Sequence, residues 1–200
     1  MLKLYELIFA INDSERADCF RIVREHKISS KQEDEMPSKF TSKTTWREKL
    51  ERVQEPKVVD IPPAMQARFG TGKLLIPKPL DVDALIRRTP KGKLLTTVQL
   101  REELARRCKA NVSCPMTTGI FIRIAAEAAE EARREGKKTV TPYWRVVTGE
   151  GRLNPKFPGG VSAQGRKLAA EGHKLQHAEG KRPPAVKDFE KLLVKLSPKP

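Results

Sequence analysis

Long apolar runs are missing from this 200-residue chain. None approaches the ~20 residues that a membrane-crossing helix needs, so helical spans are excluded. Cysteine is scarce. Cys19, Cys108 and Cys114 cannot close a disulfide framework and lack the paired spacing of a zinc site, so they read as reduced thiols. Histidine is as rare: His26, His173 and His177. The last two stand four apart, which is ligand spacing on a helix. However, Gly172 and Gly180 flank them, and no cysteine or carboxylate cluster lies nearby in sequence. No metal and no cofactor is expected. Apolar residues make up only 38% of the chain, low for a compact domain and too high for a wholly disordered one, so a modest core with charged extensions follows.

Acid is also in short supply, with 25 Asp and Glu against 40 Lys and Arg, a formal net charge of +15. The imbalance is not uniform. Residues 1–35 hold 6 basic and 8 acidic groups, which leaves 34 and 17 for residues 36–200, a net of +17. The opening MLKLYELIFAI is broken by Lys3 and Glu6, and no small-residue cleavage site follows before the charged run 13–24, so no secretory signal is read there. Met36-Pro37-Ser38 has the form of a protein start. Residues 1–35 are therefore expected to be dispensable, or a mis-assigned N-terminal extension, and the chain cytoplasmic.

Residues 36–80 form a basic, Pro-rich stretch with Pro56, Pro62, Pro63, Pro77 and Pro79, which forbids long helices. It reads as an extended arm with a short helix near 45–53, and with Leu74-Leu75-Ile76 packing as a short strand or anchored loop. A compact part follows over 81–175. Val82, Leu85 and Ile86 have helical spacing, and Pro90 and Gly92 close that helix with a turn. Thr96 with Gln99 has the form of a capping box before a second helix, whose apolar face carries Leu100 and Leu104. After a loop through Asn111 and Ser113, Pro115 suits the first turn of a third helix. Ile120, Ile124, Ala128 and Ala132 continue it and Gly136 stops it. Residues 139–147 read as extended, 162–172 as a short helix, and 176–200 as a tail with an amphipathic helix that begins at Pro183-Pro184.

Two helices joined by a turned loop in a strongly basic chain suggest a helix-turn-helix or winged-helix module. Met116, Thr117 and Thr118 would open its recognition helix, with free N–H groups to hold a phosphate. A plain helical hairpin with a solvated basic face fits the same pattern.

Three stretches, in order, resemble the DNA-binding and active-site domain of the methylated-DNA–protein-cysteine methyltransferases, the alkylguanine-DNA alkyltransferases. Pro90-Lys91-Gly92-Lys93-Leu94-Leu95-Thr96 resembles the entry into that family's helix-turn-helix. Pro142-Tyr143-Trp144-Arg145-Val146-Val147 resembles its Pro-Cys-His-Arg-Val strand. Gly151, Gly159-Gly160, Gln164 and Leu168-Ala169-Ala170-Glu171-Gly172 resemble its glycine turn and closing helix. The resemblance covers about 81–175 and implies a mostly α fold with a short β element. It implies that Tyr143 stands at the acceptor-cysteine position, Trp144 at the histidine position and Glu171 at the glutamate position.

A phenol with a pKa near ~10 is a poor nucleophile at neutral pH, and an indole cannot act as a base. No catalytic residue is therefore assigned. The closest type is the alkyltransferase-like proteins, which lack the acceptor cysteine and bind alkylated DNA without repairing it. On that likeness Thr96, Thr97, Thr117, Thr118, Arg123 and Arg145 would contact double-stranded DNA, with Arg145 either holding a phosphate or tying the active-site strand to its surroundings, and Tyr143, Gly159 and Gly160 would line a pocket for a flipped, alkylated base. The Lys and Arg of 38–57 would add salt-sensitive affinity. The protein would act as a monomer, away from membranes and nucleoid-associated in a bacterium. The alternatives are alkyl transfer to a non-standard cysteine (Cys114 or Cys108), and a general RNA- or DNA-binding basic protein.

Overall fold

The protein is seen in a computed structural model that describes residues 44–176, 180 and 182–196. The readings placed on residues 1–35, on the basic residues 38–43 and on His177 lie outside the described residues. About half of the described chain is helical, with a few short strands, consistent with the helical fold and short β element that the resemblance implies. It divides into two compact units, one of which is described only over residues 61–71.

That short piece holds helix α2 (Pro63–Phe69). Proline at its first turn costs no hydrogen bond, and Gly70 ends it at φ +74°. Gln66 Nε2 donates to the Ile61 carbonyl, 3.0 Å away.

The larger unit contains residues 44–60 and everything described from Gly72 onward. Helix α1 (Trp46–Glu51) begins with a reciprocal capping box between Thr45 and Glu48. Strands β1 (Lys57–Asp60) and β2 (Lys73–Ile76) pair antiparallel, Lys57 opposite Ile76 and Asp60 opposite Lys73. Helix α3 (Pro79–Arg87) buries Val82, Leu85 and Ile86. Where it is described, the stretch expected as an extended arm holds the short helix expected near 45–53 (α1) and the strand expected at Leu74–Ile76 (β2), and adds to them β1 and α2. Pro63 and Pro79 sit at the first turns of α2 and α3, where a missing N–H is tolerated. Leu74, Leu75 and Ile76 are all buried, the mark of a central strand covered on both faces.

Strand β3 (Leu95–Thr96) leads into helix α4 (Thr97–Arg107), and strand β4 (Val112–Ser113) into helix α5 (Pro115–Arg134). The loop expected through Asn111 and Ser113 is in fact β4, which pairs parallel to β2 (Leu75 opposite Ser113). Helix α5 buries Ile122, Ala125, Ala126 and Ala129. Of the stripe expected from the sequence, Ala128 is buried and Ile124 packs against the core, whereas Ile120 is 44% exposed. Small alanines win the inward face because α1 and α3 pack closely there. The last turns of α5 are secured by α1, where the Arg47 N–H donates to Glu131 (2.8 Å) and the Arg47 guanidinium pairs with Glu135.

Residues 139–147 are not a continuous strand. Tyr143–Arg145 is a 3-10 turn, and only Val146–Val147 (β5) is extended, parallel to β3. Helix α6 (Gly160–Ala170) starts two residues before the expected Ser162 cap. The amphipathic helix expected from Pro183 does not form among the described residues. Its apolar side chains are drawn into bridges instead, with Val186 opposite Leu175 and Leu193 opposite Leu94. Asp188 takes φ +52°, which breaks helical continuity and leaves a short 3-10 turn at Phe189–Leu192. Val186 joins Leu94, Val147, Leu153 and Leu168 in a second core cluster.

Candidate nucleic-acid interface

The pair α4–α5 is set by local sequence. Thr96 Oγ1 accepts from the Gln99 N–H at 3.0 Å, and the Gln99 side chain accepts from the Thr96 N–H at 3.1 Å. This duty buries Thr96, which is 4% exposed. Thr117 and Thr118 are buried as well. Their hydroxyls donate to the Cys114 carbonyl at 3.3 and 2.7 Å, and Thr118 Oγ1 lies 3.1 Å from Ser113 Oγ. These three threonines, expected at a DNA groove, face into the fold: Thr96 caps the start of α4, and Thr117 and Thr118 bond back to the Cys114 carbonyl at the start of α5. Thr97 is half-buried, and its carbonyl accepts from Arg101 Nε. The residues that α5 does present outward near its start are Gly119, Ile120 and Arg123. Arg123 lies 3.8 Å from Glu127 in an exposed pair worth little.

The Tyr143–Arg145 turn gathers two polar networks. Pro142 precedes it, and the Arg145 N–H closes it onto the Pro142 carbonyl at 3.0 Å. A turn with three residues per revolution sends consecutive side chains in three directions, rather than to two alternating faces. Tyr143 points inward and is 1% exposed. Its ring makes edge contacts with Trp144 (5.6 Å) and Phe157 (5.2 Å). Its hydroxyl donates to Glu130 at 2.8 Å and accepts from Lys167 Nζ at 2.9 Å. The Lys167 ammonium also sits over both aromatic rings, 4.6 Å from the Tyr143 centroid and 4.9 Å from that of Trp144. Burial, and then the Glu130 carboxylate, push the Tyr143 phenol well above its ordinary value. Burial alone would raise the Glu130 carboxyl, but hydrogen bonds from Lys167 and Tyr143 outweigh it and hold it low.

The second network centres on Glu171. It accepts from Trp144 Nε1 at 2.7 Å, from Arg145 Nε and Nη2 at 2.8–3.0 Å, and from the Gly92 N–H at 3.2 Å. Arg145 Nη1 donates onward to the Thr89 carbonyl at 2.6 Å. Burial raises the Glu171 carboxyl, and the donors from Arg145, Trp144 and Gly92 together bring it below the usual range. Arg145 is thus a tie between α6 and the loop before β3, and is not free to hold a phosphate. Gln164, 0% exposed, pins the turn from α6: its amide donates to the Trp144 and Val146 carbonyls and accepts from the Asn154 N–H.

Of the three residues expected to line a base pocket, Tyr143 has its ring packed solid. Gly159 is exposed and Gly160 half-exposed at the start of α6, both with positive φ. A Cβ on Gly159 would come within 2.6 Å of Ala163 Cβ. The structure brings Tyr143, Trp144, Arg145 and Glu171 together, and leaves Arg123 apart on the outer side of α5. Sequence reasoning missed Glu130 and Lys167. Glu130 is one acid among several on α5, and only folding places it against a phenol.

Among the cysteines, Cys114 is 2% exposed at the start of α5, and burial pushes the Cys108 thiol up. No group of three or more potential metal ligands occurs among the described residues, nor any helix long and apolar enough to cross a membrane. No family model and no curated protein matches the chain. Among solved structures, S. pombe Atl1 in complex with damaged DNA containing O6-carboxymethylguanine is similar over 58% of this chain and 94% of that one. The identity is 16% and the TM-score 0.40.

Proposed function

We propose that this chain binds double-stranded DNA in the manner of the alkyltransferase-like proteins it resembles, and that it holds its target without accepting an alkyl group. The observation that carries the second half is Tyr143. Where the resemblance implies an acceptor thiol, the chain has a buried phenol whose hydroxyl is bonded to Glu130 and Lys167. The neighbouring Glu171 has no base to orient, since its oxygens are taken by Trp144, Arg145 and Gly92. The first half rests on the formal charge of +15 and on the outward residues of α5, Gly119, Ile120 and Arg123. Small and apolar groups beside a cation suit close approach to a groove, while the chain's excess of lysines and arginines provides affinity that falls with salt. A monomeric state and a cytoplasmic location, nucleoid-associated in a bacterium, belong to the same proposal.

The closed packing of Tyr143 favours a second reading, general nucleic-acid binding with no extruded base. One experiment separates the two. The chain is titrated against a duplex with one alkylguanine, its unmodified twin and a matched RNA duplex, at several salt concentrations. Intact protein mass is read afterwards. A preference for the modified duplex with unchanged mass supports the proposal. Equal binding to all three supports the second reading. A mass increase overturns both, and points to Cys114 or Cys108.

A further inference from the structure

The C-terminal segment, outside the stretch that carries the family resemblance, builds one wall of an open cleft of about 370 Å³. The opposite wall is the loop at Gly92, and the floor is the chain leaving α6, Glu171 to Lys174. The walls are fixed by main-chain bonds. The Lys187 N–H donates to the Lys174 carbonyl at 2.8 Å, Leu175 and Val186 pair antiparallel, and the Leu94 N–H donates to the Leu192 carbonyl at 2.9 Å. Gly92 (φ +76°) and Gly172 (φ +91°) line the cleft, both in a backbone conformation that side chains avoid.

The charges in the cleft are unbalanced. Glu171 is spent on Arg145 and Trp144, and Asp188 faces Lys191 at 3.6 Å. Lys174 and Lys187 have no carboxylate partner among the described residues, and both are exposed. One further group points to a ligand. His173 lines the cleft, is 93% buried by its 7% exposure, and its Nε2 is buried without a hydrogen-bond partner. A buried ring nitrogen left without a partner is destabilising, and an oxygen seated on the cleft floor would satisfy it.

We infer that this cleft is a phosphate-binding site, built from Lys174, Lys187 and His173, and that the phosphate it takes is one of the nucleic-acid backbone. The last clause rests on the DNA-binding function proposed above. Lysine suits this task because its ammonium is a flexible point charge that needs no fixed approach angle. Burial lowers the pKa of His173, so the ring is neutral at pH 7 and can offer an N–H without adding charge. The site lies off the α4–α5 pair, so it gives the chain a second foothold on a duplex.

The test uses the full chain and the double variant Lys174→Gln/Lys187→Gln, with Lys138→Gln/Lys156→Gln as a charge-matched control. Both pairs are exposed, so thermal unfolding should be unchanged in each. Losing one backbone-phosphate contact makes the slope of log K against log salt shallower by about 0.9, which is roughly five-fold weaker duplex binding at 0.15 M salt. The control should lose less. The His173 ring resonances, assigned with His173→Gln, should shift on adding either duplex or inorganic phosphate, and in the lysine variant they should not.

A chain that binds duplex with equal affinity and slope in both variants overturns the inference and leaves the proposed function standing. A His173 response to inorganic phosphate, with unchanged duplex binding in the lysine variant, overturns the backbone assignment in favour of a free phosphorylated ligand. A natural chain that binds no duplex overturns the proposed function, and the backbone assignment with it.

Discussion

Replacing Glu171 with alanine should be among the most damaging single changes in the larger unit. The Glu171 side chain is 8% exposed and that of Arg145 13%. The carboxylate is the acceptor for Arg145, for the Trp144 indole and for the Gly92 N–H. In Glu171→Ala the Arg145 guanidinium keeps only the Thr89 carbonyl among these partners and stays buried. Leaving one charge of a buried pair uncompensated costs about 3–5 kcal/mol, which for a fold of this size lowers Tm by roughly 10 °C. Glu171→Gln should cost less, because the amide oxygen still accepts from Trp144 or Gly92.

The acid limb of stability gives the second readout. The folded carboxyl lies below its unfolded value. Its contribution is therefore fully present above the ordinary carboxylate range and is lost as pH falls through the folded pKa. The gap between the natural chain and Glu171→Gln should narrow steadily on acidification below about pH 4.5. Denaturant unfolding at a series of pH values measures both effects. A loss under ~1 kcal/mol for Glu171→Ala, the size of a surface pair, would refute the reasoning, as would a gap that does not change with pH.

Tyr143→Cys should not create an alkyl acceptor. It opens a cavity worth about 3–5 kcal/mol against the ring it removes, and intact mass after incubation with alkylated duplex should be unchanged. Tyr143→Phe keeps the packing but strips a hydroxyl that serves Glu130 and Lys167, with an expected loss of about 1–2 kcal/mol in denaturant unfolding. Gly151→Ala places a Cβ 2.4 Å from the Phe189 ring at a residue with φ +71°. Backbone strain and overpacking add to about 2–4 kcal/mol, and limited proteolysis should then cut the C-terminal segment faster. Thr96→Ala removes the N-cap of α4 and should cost about 1–2 kcal/mol, read by thermal unfolding.

The parts legible from sequence are those whose cause lies within a few residues. Thr96 and Gln99 are three apart and cap each other, Pro115 opens α5, and Val82, Leu85 and Ile86 repeat at the helical period. Composition fixed the basic charge, and the absence of a long apolar run ruled out a helical span. The resemblance brought attention to Tyr143, Trp144, Arg145 and Glu171 as one group. It did not foresee that Arg145 would bond Glu171 twenty-six positions away, since that pairing exists only when α6 closes over the 3-10 turn.

The direction of side chains belonged to the tertiary structure. Thr117 and Thr118 turn inward because α5 begins against a strand, and Ile120 turns outward because alanines fit the closer contact. The C-terminal segment shows the limit most plainly. Its apolar spacing is helical, yet a strand partner at Leu94, ninety-nine residues earlier, gives Leu193 a bridge that no local period could announce. Long-range pairing competes with local propensity, and where a ready-made edge waits in the fold, the pairing wins.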